Sequence, residues 1–221
     1  MRIGIIGTGH IGGNCARRFV LSGKHEVMLS FSRDSARLSH LARELGGRAS
    51  VGTPLEAVRF GDVVVLSVPW DTIPEALREA GSLAGKIVID TSNQYGSIAL
   101  PPKGQTAAEW NAARMPGARY TKSFNTLTAR FQSESADRPQ DQKVVQWICG
   151  DDAEAKNTVA ALIEDAGFVP VDLAGTKDCQ VMEAPRRKGA VYGEEYRAPD
   201  ALAVAEAVRR RSSIPPAPSY R

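Results

Sequence analysis

Three glycines near the start of the chain stand where chemistry is done by backbone. Gly7, Gly9 and Gly12 fall in G-x-G-x-x-G register within Arg2-Ile3-Gly4-Ile5-Ile6-Gly7-Thr8-Gly9-His10-Ile11-Gly12-Gly13. Ile3, Ile5 and Ile6 before them read as a short buried strand. Cys15, Ala16, Phe19 and Val20 after them carry the apolar spacing of a helix. In that setting Gly7 makes the tight turn, Gly9 lets backbone approach a pyrophosphate, and Gly12 lets the helix pack on the strand. The helix start adds unpaired N–H groups and a positive dipole end. The pattern predicts a dinucleotide site.

A second group of residues bears on which dinucleotide. An NAD-specific site places an acid at the end of the next strand, about 20 residues after the glycines, to bind the ribose 2′-hydroxyl. This chain has Ser32 and Arg33 there, with Arg37 one helical turn on. A hydroxyl beside a guanidinium fork suits a 2′-phosphate, and an acid repels it. NADP is therefore expected over NAD. A third group ends the continuous apolar run Asp62-Val63-Val64-Val65-Leu66-Ser67-Val68-Pro69. Ligands of open α/β sheets bind at the carboxyl ends of strands. Ser67, Val68, Pro69 and Trp70 are accordingly expected near the nicotinamide, with Asn93 in the polar loop Thr91-Ser92-Asn93-Gln94-Tyr95-Gly96 at the same edge.

Other chemistries lack their residues. No Ser/His/Asp triad, metal-ligand cluster or isolated carboxylate pair stands out, so no metal and no certain catalytic residue is assigned. Asp151 and Asp152 read as helix caps. Cys15, Cys149 and Cys179 are widely spaced and are expected to be buried, inert thiols. The net charge of +3 is too small to argue for nucleic acid. No apolar run approaches the roughly 20 residues that span a bilayer, and Met1 leads directly into the first strand. We expect a cytoplasmic protein without membrane or nucleic-acid partners.

The elements that hold these residues alternate along the chain. Strands are expected at His25–Phe31, Arg48–Val51, Asp62–Val68, Lys86–Asp90, Arg119–Ser123, Lys143–Cys149 and Phe168–Asp172. Helices fall between them at Asp34–Leu45, Thr53–Phe60, Thr72–Ala80, Thr106–Arg114 and Ala153–Ala166. Thr53-Pro54-Leu55-Glu56 carries a capping box with proline at the first helical position. Ser133–Asp141 reads as a loop. The alternation spells an α/β fold, a doubly wound, mostly parallel, Rossmann-like sheet with a short C-terminal appendage. The 221 residues, 43% of them hydrophobic, suffice for one sizeable core. The expected division is a dinucleotide-binding domain over 1–175 and a cleft-covering, dimerising segment with a flexible tail over 176–221. Within the second part, Thr176–Ala184 reads as a short helix, Ala201–Arg211 as helical, and Pro215-Pro216-Ala217-Pro218 as a stiff tail that does not pack.

The sequence resembles the small oxidoreductases that exchange hydride between NADP and the deazaflavin coenzyme F420. The residues that carry the resemblance are Gly7-Thr8-Gly9-His10-Ile11-Gly12, Ser32-Arg33, Val68-Pro69-Trp70-Asp71, Cys149-Gly150-Asp151-Asp152 and Val171-Asp172-Leu173-Ala174. The likeness covers roughly Met1 to Glu183. It implies that Thr8, Gly9, His10 and Ile11 cradle the pyrophosphate, and that Ser32, Arg33 and Arg37 hold the 2′-phosphate. Pro69 and Trp70 would line the nicotinamide, and Phe124-Asn125-Thr126 would face the second substrate. The family often has asparagine where this chain has His10. It also closes its second-substrate pocket with an apolar C-terminal helix, where this chain has Ala184-Pro185-Arg186-Arg187-Lys188-Gly189-Ala190-Val191-Tyr192.

Hydride transfer needs no nucleophile, only two ring systems stacked at close range away from water. The expected function is thus NADP-dependent hydride exchange with a second carrier, foremost the deazaflavin F420. Arg186, Arg187 and Tyr192 are expected to meet its anionic tail and flat ring. Two alternatives stand beside it: NADPH-dependent reduction of a small imine or enone, with Tyr95, Tyr192 or His10 supplying a proton, and a non-enzymatic NADP sensor. A sheet of this size leaves the nicotinamide open on one side, so a homodimer is expected to cover it.

Overall fold

The computed structural model describes residues 1–31, 34–95, 99–187 and 189–220. Among these residues eight strands form one sheet: β1 (Arg2–Ile6), β2 (Glu26–Ser30), β3 (Ala49–Val51), β4 (Val63–Leu66), β5 (Ile87–Asp90), β6 (Arg119–Lys122), β7 (Val145–Gly150) and β8 (Val169–Ala174). Their order across the sheet is β3-β2-β1-β4-β5-β6-β7-β8. All neighbours run parallel except β6 and β7. The helices among the described residues are α1 (His10–Leu21), α2 (Ser35–Leu45), α3 (Pro54–Phe60), α4 (Ile73–Ala80), α5 (Ala107–Ala113), α6 (Ala129–Ser135), α7 (Ala153–Asp165) and α8 (Ala198–Arg209).

The sheet is covered on both faces, which is why β1, β4 and β5 read as near-continuous apolar runs. Successive residues of β1 serve opposite faces. Ile3 and Ile5 pack with Cys15, Phe19, Leu38 and Leu162, while Ile6 packs with Val64, Leu66, Ile73 and Val88. The expected caps are in place. Thr53 and Glu56 form the capping box of α3, and Asp152 accepts from Ala155 N at 2.9 Å to open α7. Asp152 also holds Arg119 through two bonds of 2.6 and 2.9 Å. Those bonds, with the helix-start amides, hold its carboxyl well below the usual carboxylate range. All three cysteines are free and buried, and burial pushes the Cys15 thiol up to about 12.

Three expectations are corrected. The stretch from Ser133 is not all loop, because α6 reaches Ser135. Its Gln132, buried beneath it, donates to the carbonyls of Phe124 and Leu127 at 3.0 and 2.9 Å. The short helix from Thr176 is a 3-10 helix that ends at Met182, two residues before the expected Ala184. The tail does pack. Tyr220 Oη donates to Asp200 Oδ2 at 2.6 Å and accepts from Arg197 N at 2.8 Å, while the Arg197 guanidinium lies 4.2 Å from the Tyr220 ring centre. The C-terminal part shares the main core: Val191, Tyr196, Ala201, Val204 and Val208 pack with Val145, Trp147, Val171 and Leu173.

Candidate functional site

The order of strands reverses at β1, which lies between β2 and β4. Chains leave β1 and β4 toward opposite sides there, and the crevice between them is where open α/β sheets bind ligands. The glycine turn sits on that crevice. Gly7 N donates to Ser30 O at 3.0 Å and Ser67 N to Ile6 O at 2.8 Å, so the ends of β1, β2 and β4 are tied together. Gly7 has φ of +95°, the left-handed region that glycine tolerates. A Cβ on Gly12 would stand 2.0 Å from Gly7 O, whereas one on Gly9 would meet nothing within 4 Å. Gly12 is thus where α1 crosses the strand end at contact distance, and Gly9 is open ground.

Two hollows flank the turn. The first, about 270 Å³, lies between Gly7-Thr8-Gly9 and the residues Phe31, Arg37, Ser67, Val68 and Pro69. The second, about 570 Å³, lies beyond His10 and Ile11 and includes Asn93, Tyr95, Asn125, Thr126 and Tyr192. Tyr95 and Tyr192 come from distant segments, yet their ring centres are 6.3 Å apart. Asn93 Nδ2 donates to Asn125 O at 2.7 Å, and Asn125 Nδ2 donates to Asn93 Oδ1 at 3.1 Å and Met182 O at 2.7 Å. Gly193 N donates to Thr126 O at 2.9 Å, which holds the Tyr192 segment over the β6 end.

Beneath the second hollow lies a buried charged cluster that sequence reasoning missed. Asp90 and Lys122 are register partners on β5 and β6, both fully buried, with Nζ 3.3 Å from Oδ2. Tyr120 Oη and Asn111 Nδ2 donate to the same oxygen at 2.6 and 2.9 Å. Burial alone would raise the Asp90 carboxyl, but the Lys122 ammonium and the donors around it bring it below its ordinary value. Burial works in the opposite sense on Lys122, and Asp90 with Glu183 keeps it above its ordinary value. A signal was legible: two oppositely charged residues end adjacent buried strands.

The expected site residues separate into groups. Gly7, Thr8, Gly9 and Arg37 meet at the first hollow, and Ser67, Val68 and Pro69, expected near the nicotinamide, lie with them there and not at the second. His10, Ile11, Asn93, Asn125, Thr126 and Tyr192 meet at the second. Ser32 and Arg33 lie outside the described residues. Trp70 is corrected: its ring is buried against Trp110, centres 5.5 Å apart, with Nε1 donating to Ala99 O at 2.8 Å. Its length and apolar area are better served by the core than by a cleft wall. Phe124 is also corrected. Its ring is buried between Phe19 and Phe168, with centres 6.1 and 6.4 Å away. Arg186 and Arg187 do not join Tyr192 at the second hollow. They border a separate groove with Ile214, Pro215 and Pro216, where Arg186 pairs with Glu194 and Arg187 donates to Gln180 O at 3.3 Å.

This fold and crevice define the class of doubly wound α/β proteins with a glycine turn at the switch point of the sheet. Residues 2–94 match the model of the family described as NADP oxidoreductase, coenzyme F420-dependent. It is 32% identical over 183 residues, 83% of its length, to Metalloreductase STEAP3 of Rattus norvegicus, of which it spans 36%. The chain thus spans about a third of the length of that curated relative. Among solved structures it is similar to a hypothetical protein from Sinorhizobium meliloti, with 29% identity, a TM-score of 0.77 and coverage of 90% of this chain and 95% of that one. It is similar also to a protein from Arthrobacter sp. FB24 provisionally described as an F420-dependent NADP-reductase. There the identity is 25%, the TM-score 0.68 and the coverage 81% and 87%. No helix among the described residues is long and apolar enough to cross a membrane.

Proposed function

We propose that the chain binds NADP(H) across the glycine turn, adenosine in the first hollow and nicotinamide toward the second, and exchanges hydride there with the flat ring of a deazaflavin, coenzyme F420. The observation that carries this reading is the pair of hollows on either side of one glycine turn. The first offers the Gly7-Thr8-Gly9 turn and Arg37, with the Asp34 carboxylate beside it capping α2 at Arg37 N. The second offers amides below and the Tyr95 and Tyr192 rings at its rim. Two flat partners can meet over His10 with no nucleophile between them. That is the demand of direct hydride transfer, where positioning and exclusion of water supply the rate.

In this arrangement Gly9 and Thr8 receive the pyrophosphate, and Ser67, Val68 and Pro69 form the wall along which the dinucleotide runs. Asn93 and Asn125 lock the second hollow open. Ser32 and Arg33, by their types in the sequence, join Arg37 on the 2′-phosphate. NADP(H) supplies the hydride or takes it up. A homodimer covering the open side completes the proposal, to be checked by light scattering at micromolar concentration, where a fully active monomer speaks against it. The central experiment is titration with NADPH and NADH, followed by stopped-flow mixing of the NADPH complex with F420. NADPH is expected to bind at least tenfold better, about 1.4 kcal/mol, and Arg33→Ala with Arg37→Ala to erase most of that preference. Equal affinities, or NADPH bound but never consumed, refute the respective halves of the reading.

A further inference from the structure

The buried Asp90–Lys122 pair converges on one short piece of backbone. Ser92 N donates to Asp90 Oδ1 at 2.8 Å, and Lys122 Nζ donates to Ser92 O at 2.8 Å. Asn111 Nδ2, already on Asp90, reaches Ser92 Oγ at 3.3 Å. Three side chains from three elements therefore grip the amide, the carbonyl and the hydroxyl of a single residue. The next residue is Asn93, which enters the second hollow. Its Oδ1 accepts from Asn125 Nδ2 at 3.1 Å and from Ala184 N at 3.3 Å.

Stability does not call for such a cluster. A fully buried ion pair loses about as much in desolvation as it regains in attraction, and apolar residues of similar volume often serve as well or better. What charged groups add is direction. A carboxylate and an ammonium with several fixed partners hold a peptide unit at one angle, which packing against methyl groups does not. The loop needs this help, because β5 ends at Asp90 and the ladder reaches one residue further, through Thr91 N to Leu66 O at 3.0 Å, which stops short of Ser92 and Asn93.

We propose that Lys122 and Asp90 are positioning residues: through Ser92 they set Asn93, and with it Asn125, in the geometry that the second ring system meets. The proposal rests on the hydride-transfer reading for its kinetic arm only. Three variants are compared with the wild type: Lys122→Met, Asn93→Ala and the two combined. A fourth, Lys122→Met with Asp90→Asn, removes both charges together and guards against a lone buried charge that prevents folding.

Each of Lys122→Met and Asn93→Ala is expected to lower kcat/KM for F420 tenfold or more at saturating NADPH. The combined variant is expected to be no worse than Asn93→Ala alone, because both act through one contact. A residue with a structural role alone gives losses that multiply. The second arm needs no substrate. In the folded wild-type protein the Asn93 side-chain amide protons should exchange slowly by NMR. In the charge-free double variant they should exchange at least tenfold faster, with β1 and β4 amides unchanged. Multiplying losses, or unchanged Asn93 exchange in the folded double variant, overturn the proposal. A wild type that never reacts with F420 refutes the functional reading instead, and leaves the exchange arm to decide this one.

Discussion

Gly9 and Gly12 sit three residues apart in one motif, yet replacing each with alanine should fail in different ways. At Gly12 the added Cβ lands 2.0 Å from Gly7 O, 3.1 Å from Gly7 C and 3.1 Å from Ser67 Cβ. Contact between carbon and a carbonyl oxygen relaxes only beyond about 3.3 Å, the close end of the weak C–H···O range. Gly12→Ala must therefore push α1 off the end of β1 by on the order of 1 Å. Overpacking of this kind costs about 1–3 kcal/mol, and in a chain of 221 residues each kcal/mol moves Tm by roughly 2–4 °C. A loss of several degrees is expected. At Gly9 an added Cβ meets nothing within 4 Å, and φ is an ordinary −66°. The apo protein should lose no more than about 1 kcal/mol, the difference between glycine and alanine at a helix N-cap. The methyl group instead occupies the space through which a pyrophosphate approaches. NADPH Kd should rise tenfold or more, and the thermal shift should shrink with it. A ligand at 100 times its Kd stabilises by about 2.7 kcal/mol, against about 1.4 kcal/mol at ten times. Scanning fluorimetry with and without NADPH, beside a direct fluorescence titration, reads both quantities. If Gly9→Ala binds NADPH as the wild type does, the pyrophosphate does not lie where proposed. If Gly12→Ala melts with Gly9→Ala, close helix–strand contact is not what Gly12 supplies.

Tyr192→Ala should raise the F420 KM at least threefold and leave NADPH Kd unchanged. Arg186→Ala with Arg187→Ala should leave both unchanged, because those arginines border another groove; steady-state kinetics at low salt separate the two outcomes. His25, buried against Phe19 and bonded to Asp165 at 2.9 Å, has its pKa lowered, first by burial. A histidine depressed in the folded state binds fewer protons there than when unfolded. Its share of stability is therefore present above the ordinary histidine value and lost as pH falls through that range. Urea unfolding should give a lower free energy at pH 5.5 than at 7.5, and His25→Gln should narrow the difference; a gap of unchanged size would assign the pH dependence to other groups.

The local devices were legible from residue order alone. The glycine register, the apolar runs of β4 and β5, the Thr53–Glu56 capping box and the Asp152 cap each depend on neighbours within a few positions. Their physics is therefore written in spacing. The doubly wound class came from alternation, since strands buried on both faces carry runs that helices between them do not. What pairs with what across long separations was decided only by the tertiary structure. Nothing local says that β7 runs against β6 while β8 runs with β7. Neither Trp70 nor Phe124 carries a local sign that its ring turns into the core rather than the crevice. That depends on which partner ring, Trp110 or Phe19, the packed layers bring near. Arg186 and Tyr192 are six positions apart, but the segment between them has no helical or strand period. Its path is set by bonds such as Gly193 N to Thr126 O, and it delivers the tyrosine to the hollow and the arginine elsewhere. Asp90 and Lys122 each end a buried strand, a sign that the sequence carries without saying which group faces which. Only the β5–β6 register makes them partners, because a buried charge has meaning only with the groups that face it.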